Sequence, residues 1–299
     1  MKIALGTVQF GLNYGVSNTQ GQVPLNEVKN IIQLAKELGI DTLDCAPVYG
    51  NSEKTLGEIE SLKTFNIITK IPKLSANEVT ILPYIQKSLC DLKQKQVSTL
   101  LFHNVDDLIF HQYKHKFYDE LIMLKQQGLV TSIGASLYQP SQWQKLNSQF
   151  QLDILQVPVN ALDQRFISHD LLLEFQKNNI KLHCRSLFLQ GLLLMEAKHW
   201  PDYFVPFKKK LNAFHALAKK LNISKLTLAL AIVVQNSHIS DSVFLQNKVI
   251  DKLIVGCCST KQLEEIILAY QEALLLNINS QELSTLASNQ QGLINPSLW

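Results

Sequence analysis

The chain has 299 residues, 46% of them hydrophobic and 18% charged, and its 28 Lys and Arg against 25 Asp and Glu give a formal net charge of +3. That composition excludes disordered, collagenous and disulfide-stapled classes, and so small a charge excess sets no expectation of a nucleic-acid partner. Five cysteines without paired spacing, an N-terminus that makes a poor signal peptide, and apolar runs too short to span a bilayer (Leu226 to Val234 among the longest) predict a reduced, cytoplasmic protein with no membrane partner.

From the N-terminus, the hydrophobic pattern predicts a short strand at Ile3–Leu5 and a helix over Leu25–Leu38 closed by Gly39. A strand at Thr42–Cys45 follows, then Asn51-Ser52-Glu53 as the N-cap of a helix over Glu53–Glu60. Strand Asn66–Thr69, helix Asn77–Leu92, strand Thr99–Phe102 and helix Lys116–Gln127, closed by Gly128, complete the first half. Strand Ser132–Gly134, helix Ser141–Asn147, strand Ile154–Val157, helix His169–Asn178 and strand Lys181–Cys184 continue the alternation. A helical region from Phe207 to Gln235, a polar loop from Asn236 to Ile250, strand Leu253–Val255, helix Lys261–Glu272 and a tail ending in Trp299 close it. Eight strands alternating with helices imply a parallel sheet. With no Gly/Ser- or Pro-rich linker, they predict one (β/α)8 TIM-barrel domain over residues 1–299. No G-x-G-x-x-G turn follows the first strand, which argues against an open doubly wound sheet.

In such a barrel, functional side chains stand at the C-terminal ends of the strands. The second strand leads to Asp44 and, five residues on, Tyr49; the third leads to Lys70 and the fourth to His103. Taken singly, each has an ordinary reading as cap, core, solvated or satisfied side chain. Together they place an acid, a phenol, an amine and an imidazole on one rim. That set suits carbonyl reduction. The phenol is a proton donor, the ammonium lowers its pKa, the carboxylate holds the ammonium, and the imidazole orients the carbonyl. His111, His115 and Asp119 recur at helical spacing but lie away from the strand ends, so they read as a solvated face and no metal site is expected. Cys45, Cys90 and the Cys257-Cys258 pair read as packing residues, and Lys208-Lys209-Lys210 as a solvated helix face.

The segments Gly6-Thr7-Val8-Gln9-Phe10-Gly11, Leu43-Asp44 with Tyr49-Gly50-Asn51-Ser52-Glu53, Ile68-Thr69-Lys70, Leu101-Phe102-His103-Asn104 and Gln156-Val157-Pro158-Val159-Asn160 resemble the aldo-keto reductase superfamily. The resemblance runs to Val255-Gly256 and implies a catalytic tetrad at Asp44, Tyr49, Lys70 and His103. It also implies NADPH bound in an extended form, with NADH admissible, in contact with Gly6, Thr7, Gln9 and Asp44. Ser136 and Gln156 match positions that bond the nicotinamide amide, and Arg185 stands where many members stack an aromatic ring. Ser186, Gln190 and Gly191 match the loop along the pyrophosphate. Gly256, Ser259, Thr260, Gln262 and Glu265 match the turn that holds the adenosine phosphate end. Where many members carry an arginine near Cys258 or at Gln262 for the 2′-phosphate, this chain has only Lys261 nearby.

The stretches Ser136-Leu137-Tyr138, Asp163-Gln164-Arg165-Phe166 and Arg185 to Gly191 resemble a bacterial subgroup associated with surface-polysaccharide and nucleotide-sugar enzymes. That implies a small, polar, sugar-derived carbonyl substrate, with Tyr14, Tyr138 and Trp299 as candidate pocket walls. Two other functions compete. A Schiff-base aldolase would use Lys70 as its amine, which the neighbouring Asp44 opposes. A cofactor-binding regulatory module without turnover would keep the same tetrad. The expected assembly is a monomer or weak homo-oligomer.

Overall fold

The computed structural model describes residues 1–235 and 248–299. Eight parallel strands close into a barrel in sequence order. They are β1 Ile3–Gly6, β2 Thr42–Asp44, β3 Asn66–Ile71, β4 Val97–Phe102, β5 Val130–Ser136, β6 Ile154–Pro158, β7 Lys181–Arg185 and β8 Ile250–Gly256. The helices are α1 Val8–Gly11, α2 Leu25–Glu37, α3 Ser52–Gly57, α4 Leu82–Asp91, α5 Asp106–Ile109, α6 Lys114–Gln126, α7 Pro140–Asn147, α8 His169–Lys177, α9 Lys208–Lys220, α10 Lys225–Gln235, α11 Thr260–Leu275, α12 Ser280–Ser284 and α13 Gln291–Ile294. The sequence thus predicts the barrel and all eight strands. Most strand ends lie one to three residues beyond the expected ones, and Lys70 lies within β3.

Strand alternation divides each strand between two environments. Leu5, Leu43, Ile67, Ile71, Leu100, Phe102, Ile133, Leu155, Leu182 and Val255 belong to the large core between barrel and helices. Ile68, Leu101 and Ile154 form a separate buried cluster, on the opposite parity, which plugs the barrel interior. Two residues further along those same inward rows come Lys70, His103 and Gln156. The rows through Thr42 and His183 end in the same way, at Asp44 and Arg185. The hydrophobic plug therefore gives way at the C-terminal mouth to a polar layer, one side chain from each of several strands.

The helix boundaries differ from expectation for local reasons. Helix α4 starts at Leu82 rather than Asn77, because Pro83 has no N–H to donate and is accommodated in the first turn. The Ile81 N–H just before it is taken by Glu120 Oε2 at 2.7 Å. The long helical region splits at Asn222, whose φ of 53° ends α9. Ser224 Oγ then accepts the Thr227 N–H at 2.9 Å to start α10. Gly39 and Gly128, with φ of 77° and 71°, end α2 and α6 as expected. Asn51 makes no side-chain cap; its Oδ1 accepts from Gln22 instead. Most of the expected polar loop, residues 236–247, lies outside the described residues. Cys90 is exposed on α4, not packed, whereas Cys45, Cys184 and Cys257 are buried. Among the described residues, no helix is long and apolar enough to cross a membrane.

Candidate active site

Asp44 and Lys70 meet at the mouth, 3% and 1% exposed. Lys70 Nζ donates to both Asp44 oxygens at 2.8 Å and to the Cys45 carbonyl at 2.9 Å. Its three N–H groups are thereby used. The same nitrogen lies 4.9 Å from the centre of the Tyr49 ring, and His103 meets that ring edge-on, with centroids 5.8 Å apart at 89°. The four expected catalytic side chains are therefore brought together. Gln156 Nε2 donates to Asp44 Oδ1 at 2.8 Å and joins the cluster from β6.

Electrostatics follow from burial. Desolvation is the largest influence on Tyr49 and raises its phenol; Lys70 opposes it, and the net position is pushed up to about 12. The ammonium lowers the phenol as the sequence predicts, but burial outweighs it, so the acid form is the one present near neutrality. Burial alone would lower Lys70, but Asp44 and then Tyr49 reverse this and hold it above the ordinary lysine value. His103 is pushed down to about 3 by burial first, then by Lys70 and Arg185, so it is a neutral imidazole. A reductase built this way is expected to show no kinetic titration near the free-histidine value of about 6.5 and to lose proton-donor function only on the strongly alkaline side. A log–log plot of kcat against pH checks both; an inflection at the histidine position that vanishes in His103→Ala would contradict the neutral assignment.

The loop that carries Tyr49 is fixed by close approach. A Cβ on Gly11 would stand 1.8 Å from the Tyr49 carbonyl oxygen, and one on Gly50, whose φ is 61°, would stand 2.2 Å from the Gly11 carbonyl oxygen. Only two bare Cα atoms allow α1 and this turn to pack. Ser52 Oγ donates to the Thr7 carbonyl at 2.9 Å, and Thr7 Oγ1 donates to the Asp44 carbonyl at 3.0 Å, joining the same elements. Below them Glu53 turns inward and accepts from Thr69 Oγ1 at 2.5 Å and Ser88 Oγ at 3.1 Å. We expect Gly11→Ala to cost about 1–3 kcal/mol of stability by overpacking and to reduce kcat by moving Tyr49. Denaturant melts and kinetics at saturating substrate check this, and a variant with unchanged kcat would show that the turn tolerates displacement.

A cavity of about 620 Å³ opens at this cluster. Asp44, Tyr49, His103 and Gln156 line it, and Lys70 stands behind its wall. Of the expected cofactor contacts, Gly6, Thr7 and Gln9 line it from β1 and α1. Arg185, Ser186, Gln190 and Gly191 line it from β7 and the loop after it, and Gly256, Gln262 and Glu265 line it from β8 and α11. Ser136, Ser259 and Thr260 do not. Ser136 Oγ accepts from Arg185 Nε at 3.4 Å. Ser259 Oγ caps α11 by accepting the Gln262 N–H at 3.2 Å. Thr260 N–H and Oγ1 both donate to Glu27 Oε1, at 2.8 and 3.2 Å. Tyr14 and Tyr138 line the cavity as expected. Trp299 does not; its ring packs edge-on against Phe204 and its indole N–H donates to the Gly292 carbonyl.

The wall suits an extended polar ligand. Gln9 Oε1 is buried without a partner, and a Cβ on Gly256 would come within 2.7 Å of it. This leaves a glycine-floored groove with an acceptor in waiting, running from Tyr49 to the first turns of α11. Away from the mouth, His111 bonds the Ser75 carbonyl and His115 packs on Phe150. Among the described residues, no cluster of three or more His, Cys, Asp or Glu is arranged to hold a metal ion.

The match to the Aldo/keto reductase family spans residues 2–287, so the chain belongs to that family. Carbonyl reduction is the general activity of its members. Similar solved structures include the aldo-keto reductase AKR11C1 of Bacillus halodurans in its holo form, at 16% identity, TM-score 0.72, and 97% and 95% coverage of this chain and that one. Another is PA4992 of Pseudomonas aeruginosa, described as an aldo-keto reductase, at 19% identity, TM-score 0.64, and 91% and 90% coverage. At these identities the likeness shows the fold. No curated protein shows significant sequence similarity to the chain.

Proposed function

We propose that this protein is an NAD(P)H-dependent reductase of a small aldehyde or ketone, with Tyr49 as proton donor. The observation that carries the reading is the meeting of the Lys70–Asp44 pair, Tyr49 and neutral His103 at the floor of one cavity. The groove lined by Gln9, Gln190, Gly191 and Gly256 would hold the dinucleotide. A bound nicotinamide supplies the hydride. The protein supplies the rest. The carbonyl oxygen sits between the Tyr49 hydroxyl and the His103 ring, which donates a hydrogen bond to the charge that develops there. The phenolic proton passes to that oxygen, and the Lys70 cation stabilises the phenolate left behind. Solvent then returns the proton. An aldolase reading finds no support, because Lys70 is buried and its three N–H groups are engaged.

NADPH is the cofactor implied by the family, but Glu27 bears on the choice. Its carboxylate holds the Thr260 donors at the start of α11 and would repel a 2′-phosphate there, so NADH should bind comparably. The test is fluorescence titration of the purified protein with NADPH and NADH, followed by turnover of a panel of aldehydes. Binding of either with reduction supports the reading. Binding without turnover across the panel would instead mark a cofactor-sensing module. We place the protein in the cytoplasm as a monomer or weak homo-oligomer; sedimentation of the pure chain tests the second part.

A further inference from the structure

We propose that the carbonyl substrate carries an oxyanion, such as a carboxylate, and that Arg185 is its seat. The inference rests on the reductase reading of the same cavity but has its own evidence. Arg185 ends β7 on the inward row and lines the cavity with Tyr49 and His103. Its positive charge reaches both of them.

The bonds Arg185 makes are all to neutral acceptors. Nε donates to Ser136 Oγ at 3.4 Å, Nη1 to Ser186 Oγ at 3.2 Å and Nη2 to the Leu137 carbonyl at 3.2 Å. The contrast is Arg165, which gives Nε and Nη2 to the two oxygens of Asp163 at 2.7 Å each. Among the described residues, no carboxylate lies within ion-pair distance of Arg185. Asp44, which lines the same cavity, is engaged by Lys70. A half-buried cation without a counterion is costly to keep unless a ligand completes it.

The guanidinium is also set in place beforehand. It lies 4.5 Å from the centre of the Tyr138 ring, and Arg165 Nη2 donates to the Tyr138 carbonyl at 3.2 Å. Of its five N–H groups three are used, which leaves one on each terminal nitrogen. That pair is the fork that binds two oxygens of one anion. A substrate held there would present its carbonyl to the neighbouring Tyr49 and His103.

The test compares para-carboxybenzaldehyde with methyl para-formylbenzoate, which match in ring and aldehyde but differ in charge. We expect kcat/KM to favour the acid by about tenfold or more, mainly through KM, and the ratio to fall to near one in Arg185→Met. A second measurement is calorimetric titration of para-(hydroxymethyl)benzoate into the cofactor-loaded protein, whose dissociation constant should rise about tenfold in the variant. A ratio and a dissociation constant both unmoved by Arg185→Met would overturn the proposal. So would weaker NAD(P)H binding with the ratio unmoved, which would assign the cation to the cofactor. If neither aldehyde turns over but the benzoate binds through Arg185, the anion seat stands and the reductase reading fails.

Discussion

Tyr49→Phe is expected to lower carbonyl reduction by orders of magnitude while leaving the protein folded and able to bind its cofactor. The substitution removes one oxygen and keeps the ring, so the edge contact with His103 and the position beneath Lys70 are preserved. What is lost is the proton. General acid catalysis by a placed side chain is worth about 10²–10⁴-fold, and kcat/KM should fall by that factor, or roughly 3–5 kcal/mol in the barrier. His103 cannot take over as acid, because with its pKa near 3 it carries no proton to spare at neutral pH. NADPH oxidation by wild type and variant, with cofactor affinity measured separately by fluorescence, decides the point. A variant that reduces aldehydes at the wild-type rate would remove Tyr49 from the role assigned to it.

The barrel was legible in the sequence because short apolar runs alternate with helical patterns. The reactive side chains were legible because Asp44, Lys70 and His103 stand at strand ends, with Tyr49 in the loop after Asp44. Strand parity is the physical basis for the side chains the strands carry. In Ile67-Ile68-Thr69-Lys70-Ile71 the outward positions feed the core against the helices, and the inward row passes from Ile68 in the plug to Lys70 in the polar layer. A lysine at the inward end of a buried strand needs a partner, and Asp44 stands on the neighbouring strand. What holds Tyr49 in place was not legible. The contact of Gly11 with the Tyr49 carbonyl joins residues 38 apart, and nothing local marks a glycine as the site of a backbone crossing. Glu53 read as part of a cap because its neighbours are Asn51 and Ser52; the buried hydroxyls that claim it come from β3 and α4. Glu27 and Thr260 meet across 233 residues, so a carboxylate at the start of α11 had no sequence signal. Trp299 read as a pocket wall because a tail after the last helix is free to fold over the mouth, and its packing on Phe204 is decided by tertiary contacts alone.

Lys70→Met should damage stability and catalysis together, and the two losses can be separated. In the native protein Asp44 is buried, and its carboxylate is answered by two bonds from Lys70 and one from Gln156. Removing the ammonium leaves a buried charge that, among the described residues, keeps one side-chain donor, the Gln156 amide. Breaking a buried pair in this way costs about 3–5 kcal/mol, whereas replacing both members is often close to neutral. The single variant should therefore shift strongly in urea at neutral pH, and Asp44→Asn/Lys70→Met should recover most of that loss. The sign with pH is fixed by the direction of the Lys70 shift: a folded value above the ordinary 10.5 stabilises the protein below 10.5, and that contribution is lost as pH rises through the raised value. Wild type should lose stability on the alkaline side through this group, and the double variant should lack that component. Catalysis should not recover in the double variant, because Tyr49 would still lack the cation that stabilises its phenolate. A double variant as unstable as the single one would mean that packing of the lysine stem, rather than its charge, holds this end of the barrel together.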